Sequence, residues 1–303
     1  MNDIQSLIQR AHQFIDKLEA ILPPAPQPTA WDAALAFRWR KNNGRGWLQP
    51  VPRLSQIKLS NLQGVERQRR AMEQNTRQFV DGLPANNVLL TGARGTGKSS
   101  LVKAMLNKYA SRGLRLIEVD KSELVDLGEI TDLIERRPER FIIFCDDLSF
   151  DDGDASYKSL KVALDGSVNA SSDNSLIYAT SNRRHLLPEY MHENLEYKHV
   201  GGEIHPGESA EEKISLSERF GIWLSFYPFD QEQYLAIVDH WLLHFGCTAK
   251  EVEAARGDSL TWTIERGSRS GRVAWQFARD HVGKLGKKTD LRNTAKPARK
   301  AGR

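Results

Sequence analysis

The chain has 303 residues, of which 40% are hydrophobic and 27% are charged, a composition typical of a globular protein. Its apolar runs fall short of the ~20 residues that cross a bilayer, and residues 1–5 lack the basic and apolar regions of a secretory signal. The two cysteines, Cys145 and Cys247, argue against a disulfide framework and for a reducing compartment. We therefore expect a cytoplasmic protein without membrane contact.

The net charge of +4 is unevenly distributed along the chain. Eight lysines and arginines and one aspartate lie between residues 284 and 303, so this end carries about +7 and the rest about −3. Such a basic tail has the charge to contact nucleic acid or another acidic partner. A disordered, solubilising end is the commoner role of this composition.

The N-terminal residues 1–56 divide into three parts. Apolar residues at helical spacing over residues 4–22 predict an amphipathic helix, which the Pro-rich stretch 23–28 ends. The third part interleaves aromatic and basic side chains, namely Trp31, Phe37, Arg38, Trp39, Arg40, Lys41, Arg45 and Trp47. Such a segment either stacks on single-stranded bases or docks onto its own domain. The second is commoner because large aromatic side chains are usually buried.

Strand and helix patterns alternate from residue 83 to residue 229, which predicts a parallel α/β sheet. The expected strands are 87–91, 114–119, 141–146, 175–180 and 222–226, with helices near 99–110, 122–136 and 154–166. After Pro228 the pattern is helical, over residues 230–246, 248–256 and 258–285. We therefore predict an N-terminal extension (1–56), an α/β domain with a five-stranded sheet (57–229), a small helical domain (230–285) and a basic tail (286–303).

One segment matches the pattern G-x-x-x-x-G-K-[ST] of nucleotide-binding loops. It consists of Gly92, Ala93, Arg94, Gly95, Thr96, Gly97, Lys98 and Ser99, with Ser100 following at the start of the predicted helix. Between a strand and a helix N-terminus, this loop aims backbone N–H groups at one point, where a triphosphate fits. We expect Lys98 to neutralise the β- and γ-phosphates and the Ser99 hydroxyl to bind Mg²⁺.

Two carboxylates follow the apolar run 141–145. A site that hydrolyses phosphate requires one carboxylate near Mg²⁺ and another that orients the attacking water. We assign Asp146 to the metal and Asp147 to the water. Solvated acids in a loop are the alternative, but their position downstream of the glycine loop favours the catalytic interpretation.

Strand 175–180 runs into Asn182, and from this point the chain resembles the AAA+ ATPases. The resemblance implies a P-loop fold with a helical lid. It also implies that Asn182 is the polar sensor residue beside the carboxylate strand. Residues 216–221 resemble the segment that carries an arginine finger, so Arg219 would reach the γ-phosphate held by a neighbouring subunit.

Two further segments extend the AAA+ resemblance, which covers about residues 57–285. Residues 270–274 are similar to the lid segment that contacts phosphate, which implies that role for Arg272, with Arg269 as the alternative. Residues 62–67 resemble the segment that lies against adenine, which brings Gly64 to the nucleotide.

Residues 86–91, 144–150 and 178–189 resemble, more narrowly, a bacterial family of predicted AAA+ ATPases catalogued as domain of unknown function eight-fifteen. The resemblance implies ATP and Mg²⁺ as cofactors, a homo-oligomer and an unknown macromolecular partner. One residue departs from the wider AAA+ pattern, because Asp147 stands where Glu is usual. The shorter side chain withdraws the carboxylate, and a misplacement of about 1 Å can cost ~10²-fold in rate.

Two functional hypotheses follow. The first is a Mg²⁺-dependent ATPase that remodels its partner from within an oligomer. The second is a switch with little turnover, in which ATP binding fixes a conformation that recruits a partner through residues 1–56 or the tail. A version of the switch directed to nucleic acid would resemble a helicase loader.

Two weaker features lie between the predicted sensor and the arginine finger. His185, His192, His199 and His205 lack the spacing typical of a zinc site. The polar segment 190–215 predicts a loop that faces a subunit or a substrate.

Overall fold

The computed structural model describes residues 4–5, 7–10, 12–14, 29–150, 154–165, 174–183, 186, 198–200, 203–205 and 216–287. The strands are β1 (Ala36–Asn42), β2 (Arg45–Pro50), β3 (Val88–Gly92), β4 (Leu114–Glu118), β5 (Arg140–Cys145), β6 (Ser175–Ser181), β7 (Lys198–Val200), β8 (Glu203–His205) and β9 (Ile222–Phe226). The helices are α1 (Glu66–Val80), α2 (Lys98–Tyr109), α3 (Leu127–Ile134), α4 (Ala155–Asp165), α5 (Gln231–His244), α6 (Ala249–Arg266) and α7 (Gly271–Lys284). Helical residues also occur within 4–14, inside the predicted N-terminal helix.

The main sheet has seven strands in the order β2-β1-β4-β5-β6-β3-β9. The strands β4, β5, β6, β3 and β9 are parallel to one another and correspond to the five predicted strands. The predicted count of five is wrong, because β1 adds to the free edge of β4 in parallel and β2 then pairs with β1 in antiparallel orientation.

The two additional strands form a hairpin within the aromatic and basic segment. Its turn is Asn43-Gly44, with φ of +48° and +76°, the backbone that a two-residue hairpin connection of type I′ requires. Trp39 is fully buried, and its indole N–H donates to Asp126 Oδ2 at 3.2 Å. Part of the predicted N-terminal extension therefore lies in the sheet.

The core lies on both faces of the sheet, because successive side chains of a strand point to opposite faces. Val88 and Leu90 of β3 belong to the cluster that includes α1, α2 and the C-terminal helices. Leu89 belongs to the second cluster, which includes α3, α4 and the hairpin. Helices on both faces bury the central strands, and the carboxyl ends of β3, β5 and β6 meet at one edge of the sheet.

Helices α5, α6 and α7 pack against one another and form the helical lid. The predicted break near residue 257 is wrong, because α6 runs unbroken from 249 to 266. The helix ends instead at Gly267, and the Ser270 side chain caps the start of α7. Gly257 lies inside α6, where a single glycine lowers helix stability without ending the helix.

Candidate nucleotide site

The glycine loop, residues 92–99, connects β3 to α2 at the edge where the carboxyl ends of the strands meet. Gly92 has φ of +120°, and a Cβ atom there would lie 1.9 Å from the carbonyl oxygen of Phe226. The Ala93 N–H donates to that same oxygen at 3.1 Å. Only glycine lets β9 end this close to the loop, and this contact fixes where the loop begins.

The N-terminus of α7 lies against the loop from the side of the lid. The Arg272 backbone N–H donates to the carbonyl of Gly95 at 3.4 Å, and a Cβ atom on Gly95 would lie 2.8 Å from Ser270 Oγ. Arg272, the predicted phosphate contact, lines the cleft beside the loop, whereas Arg269 is exposed outside it. The lid thus contacts the loop through the start of a single helix.

Lys98 is 5% exposed, and its ammonium group lies inside the loop. Nζ donates to the carbonyl oxygens of Gly92 and Ala93 at 2.7 and 2.8 Å, and to Asn182 Oδ1 at 3.0 Å. Burial lowers the pKa of Lys98 to about 8, although the carboxylates of Asp147 and Asp146 oppose this effect. The group therefore still carries most of its charge at neutral pH.

The two predicted carboxylates lie opposite the loop, at the end of β5. Ser99 Oγ donates to Asp146 Oδ1 at 2.6 Å. The Asn182 amide donates to Asp147 and accepts from Lys98, so that Asn182 connects the water-orienting candidate to the phosphate-binding candidate. The structure therefore brings five predicted residues together, although they span more than eighty positions of the sequence, namely Lys98, Ser99, Asp146, Asp147 and Asn182.

Thr180 is a member of this cluster that the sequence did not indicate. Its hydroxyl donates to Asp146 Oδ1 at 2.6 Å and accepts from the Asp147 backbone N–H at 2.9 Å. A threonine in an apolar strand is typical of any β-sheet, so the sequence carries no signal for this contact.

The donor atoms at this point fit a magnesium ion. Ser99 Oγ and Asp146 Oδ1 lie 2.6 Å apart at the start of α2, and both are hard oxygen donors of the kind that Mg²⁺ prefers. Both side chains line the cleft. The residues present are therefore compatible with a cation held between the glycine loop and β5.

A cleft of about 1110 Å³ extends from the glycine loop to the lid. The lid side chains that line it include the aromatic Trp241, Phe245 and Trp275, with the Trp241 and Phe245 rings stacked at 6.0 Å. Burial lowers the pKa of His240 beside them, and His244 adds to that effect. This part of the cleft has the flat, weakly charged walls that suit a nucleobase.

Gly64 does not itself line the cleft, although Leu62, Gln63 and Val65 do. A Cβ atom on Gly64 would lie 3.1 Å from the Phe229 ring. The segment 62–67 therefore reaches the cleft through the neighbours of the predicted glycine and not through Gly64 itself.

A family model described as "Protein of unknown function (DUF815)" matches residues 32–285. The chain belongs to this family. The match includes the hairpin, the parallel sheet, the glycine loop and the lid. The observed α/β sheet, glycine loop and helical lid agree with the fold that the sequence resemblance implied.

Several solved structures are similar to this DUF815 protein at low identity. The RuvB Holliday junction branch migration motor of Thermotoga maritima is 15% identical with a TM-score of 0.48, over 78% of this chain and 70% of that chain. The Orc1 protein of Aeropyrum pernix in complex with DNA is 16% identical with a TM-score of 0.48, over 75% and 62%. No curated protein matches in sequence. Similarities at this distance carry no inference about function.

Arg219 lies outside the cleft of its own chain. Its Nε atom donates to Asp165 Oδ1 at 2.5 Å, at the end of α4, and its side chain is 24% exposed. The structure therefore does not bring Arg219 to the other predicted site residues of the same chain.

Several weaker predictions fall on residues that the structure does not describe. His185, His192 and most of the segment 190–215 are among them, although the short antiparallel strands β7 and β8 lie within that segment. In the described part of the chain, no cluster of three or more histidine, cysteine or acidic side chains is placed to hold a metal. Most of the predicted basic tail, residues 288–303, also lies outside the described ranges.

Three basic side chains of the hairpin, two of them Arg38 and Lys41, are paired with acids of the same chain. Arg38 donates to Glu118 at 2.7 Å, and Lys41 pairs with Asp126. These contacts favour docking of the segment onto its own domain over contact with nucleic acid. None of the helices described here has the length and apolar character to cross a membrane.

Proposed function

We propose that this protein is a Mg²⁺-dependent ATPase of the AAA+ type. The observation that supports the proposal is the hydrogen-bonded cluster of Lys98, Ser99, Asp146, Asp147 and Asn182 at one edge of the sheet. Each of these residues has the chemistry that one part of phosphoryl transfer requires. The aromatic part of the same cleft receives the base.

Each residue of the cluster has a separate role in the proposed hydrolysis. The backbone N–H groups of the glycine loop and the Lys98 ammonium bind the β- and γ-phosphates. Ser99 and Asp146 would hold Mg²⁺, which when bound would neutralise charge on the phosphate oxygens. Asp147 orients the attacking water and accepts its proton, and Asn182 keeps the Asp147 carboxylate directed toward Lys98. Arg272 supplies a further cation from the lid.

A homo-oligomer that remodels a macromolecular partner accounts for the position of Arg219. Within its own subunit the guanidinium is paired with Asp165, away from the cleft. We propose that Arg219 completes the nucleotide site of a neighbouring subunit, where a cation near the γ-phosphate accelerates transfer by ~10³–10⁵-fold in related enzymes. Activity then depends on assembly.

The test is Mg²⁺-ATP turnover per subunit, measured against protein concentration for the wild type and for Arg219→Ala. We expect turnover per subunit to rise with concentration in the wild type, and to fall at least ~10²-fold in the variant. Nucleotide binding should persist in Arg219→Ala, because Arg219 does not line its own cleft. Full activity in dilute monomers would exclude the shared site.

A second candidate function, an ATP-dependent switch, is favoured by one residue. Asp147 is shorter than the usual glutamate and has φ of +55°, in the left-handed region that side chains other than glycine rarely adopt. The shorter side chain argues for slow water activation, because it withdraws the carboxylate from the water. Tight ATP binding and ATP-dependent assembly with negligible turnover at every concentration would establish the switch.

A tail that binds nucleic acid belongs to this candidate, and truncation after residue 284 would remove that binding.

A further inference from the structure

Thr180 lies one residue before the end of β6, between β5 and β3, and is 1% exposed. Its hydroxyl donates to Asp146 Oδ1 at 2.6 Å and accepts from the Asp147 backbone N–H at 2.9 Å. A hydroxyl has a single proton. The hydroxyl of Thr180 donates that proton to Asp146, and one of its oxygen lone pairs accepts from the backbone N–H of Asp147. A single side chain therefore contacts both acidic residues.

We propose that Thr180 is a positioning residue that orients the metal-binding carboxylate of Asp146 and the backbone of Asp147. The inference rests on the proposed function, since it concerns the same site. Asp146 is exposed to the cleft, and an exposed carboxylate has several rotamers of similar energy. Thr180 belongs to the sheet, whereas the other donor to Oδ1, Ser99, belongs to the glycine loop. The sheet therefore holds Asp146 in place when the loop moves around a ligand.

Thr180 is held in the sheet by backbone contacts that do not involve its hydroxyl. Its carbonyl accepts from the Leu148 N–H at 2.7 Å, and Leu90 is its neighbour in the parallel ladder. A substitution of the side chain leaves these backbone groups in place. Valine has the same shape without the hydroxyl, and would leave the Asp147 N–H without its acceptor at the residue where φ is +55°. The chain thus offers a direct test of the hydroxyl.

The experiment compares Thr180→Val and Thr180→Ser with Thr91→Val as the matched control. Thr91 is also 1% exposed and lies on the adjacent strand β3, where its hydroxyl accepts from the Trp223 indole N–H at 2.7 Å. Two quantities are measured on the full chain. The first is the Mn²⁺ affinity of the complex with a non-hydrolysable ATP analogue, from the paramagnetic resonance of free Mn²⁺. The second is the affinity for a fluorescent ATP analogue in EDTA.

We expect Thr180→Val to lower the Mn²⁺ affinity about 10-fold or more, as loss of a partner of a metal ligand does. Its nucleotide affinity in EDTA should stay within about twofold of the wild type, because Lys98 and the loop remain intact. Thr180→Ser should retain most of the Mn²⁺ affinity, and Thr91→Val all of it. A folded Thr180→Val with wild-type Mn²⁺ affinity, or a Thr180→Ser that loses as much as Thr180→Val, would overturn the proposal.

Near-UV circular dichroism establishes whether each variant is folded. If Thr180→Val does not fold, Thr180→Cys decides the question, because a thiol is a weak donor and should give an intermediate Mn²⁺ affinity. Wild-type affinity in Thr180→Cys would overturn the role of the hydroxyl. A wild type that binds no nucleotide in EDTA or with Mn²⁺ would overturn the proposed function as well, and thus differs from a failure of Thr180 alone.

Discussion

The pKa of Lys98 predicts how nucleotide affinity varies with pH. Burial lowers this pKa to about 8 in the free protein. A bound triphosphate adds negative charge and raises the pKa again. Above about pH 8 the free protein loses a proton that the complex retains, so binding must take up a proton. We therefore expect the affinity in EDTA to be constant below about pH 8 and to weaken by up to ~10-fold per pH unit above it.

Fluorescence titration with an ATP analogue at a series of pH values measures this dependence. Lys103→Met serves as the control, because Lys103 also lines the cleft but lies further along α2. The control should keep the decline above pH 8, and Lys98→Met should lose it together with most of the affinity. An affinity in the wild type that stays flat through pH 8 to 10 would contradict the assignment of the phosphate-binding amine.

Motif residues were predictable one by one because their chemistry dictates their spacing. The glycine loop requires Gly92 for the approach of β9. A carboxylate must follow a nearby strand, here β5, if it is to reach a metal beside Ser99. Thr180 was not predictable, since its role depends on the pairing of β5 with β6 and a single threonine does not specify that pairing. The sequence indicated the reactive groups but not the residue that orients them.

At the scale of elements, the cap of α7 connects lid stability to nucleotide binding. Ser270 Oγ accepts from the Val273 N–H at 3.3 Å, and Ser270 also faces Gly95 of the loop. Thr248 caps α6 at the same distance of 3.3 Å but does not line the cleft. We expect Ser270→Ala and Thr248→Ala each to lower the free energy of unfolding by about 1 kcal/mol.

The two cap variants, Ser270→Ala and Thr248→Ala, should differ in their affinity for nucleotide. Ser270→Ala loosens the end of the helix that meets the loop, so we expect the affinity for ATP to fall roughly threefold to tenfold, equivalent to the loss of a cap. Thr248→Ala should bind ATP as the wild type does. Urea denaturation and fluorescence titration measure the two quantities. Equal affinities in both variants would show that the start of α7 plays no part in the nucleotide site.

The two element-level errors in the sequence prediction have different physical causes. The hairpin carried the strong local signal of Asn43-Gly44, but the surrounding arginines and tryptophans obscured the alternation of a strand. The predicted break between the helices 248–256 and 258–285 falls at Gly257, and glycine is a poor helix former. Packing of Val252, Ala255 and Ser259 against the lid core outweighs that local cost. Tertiary packing therefore keeps α6 continuous through Gly257.

At the scale of the whole molecule, several aromatic and basic residues of the hairpin are part of the fold. Arg38 and Lys41 face acids of β4 and of the turn before α3, and Trp39 lies in the core. Composition alone could not show this, because charge pairing across a sheet depends on the register of β1 with β4. Cationic groups that serve a partner are therefore sought elsewhere, and the sequence resemblance indicates Arg219, which is 24% exposed and paired with Asp165.

A mixture of two inactive variants tests the shared site most directly. Lys98→Ala lacks the phosphate-binding amine but keeps Arg219, and Arg219→Ala keeps the complete cleft. In a closed head-to-tail oligomer, random mixing in equal amounts pairs an intact cleft with an intact arginine at about a quarter of the interfaces. We therefore expect up to about a quarter of the wild-type ATPase activity to return. The double variant mixed with Arg219→Ala should stay inactive, because it supplies no arginine. An inactive first mixture, formed from variants that still assemble, would place the arginine outside the neighbour's site.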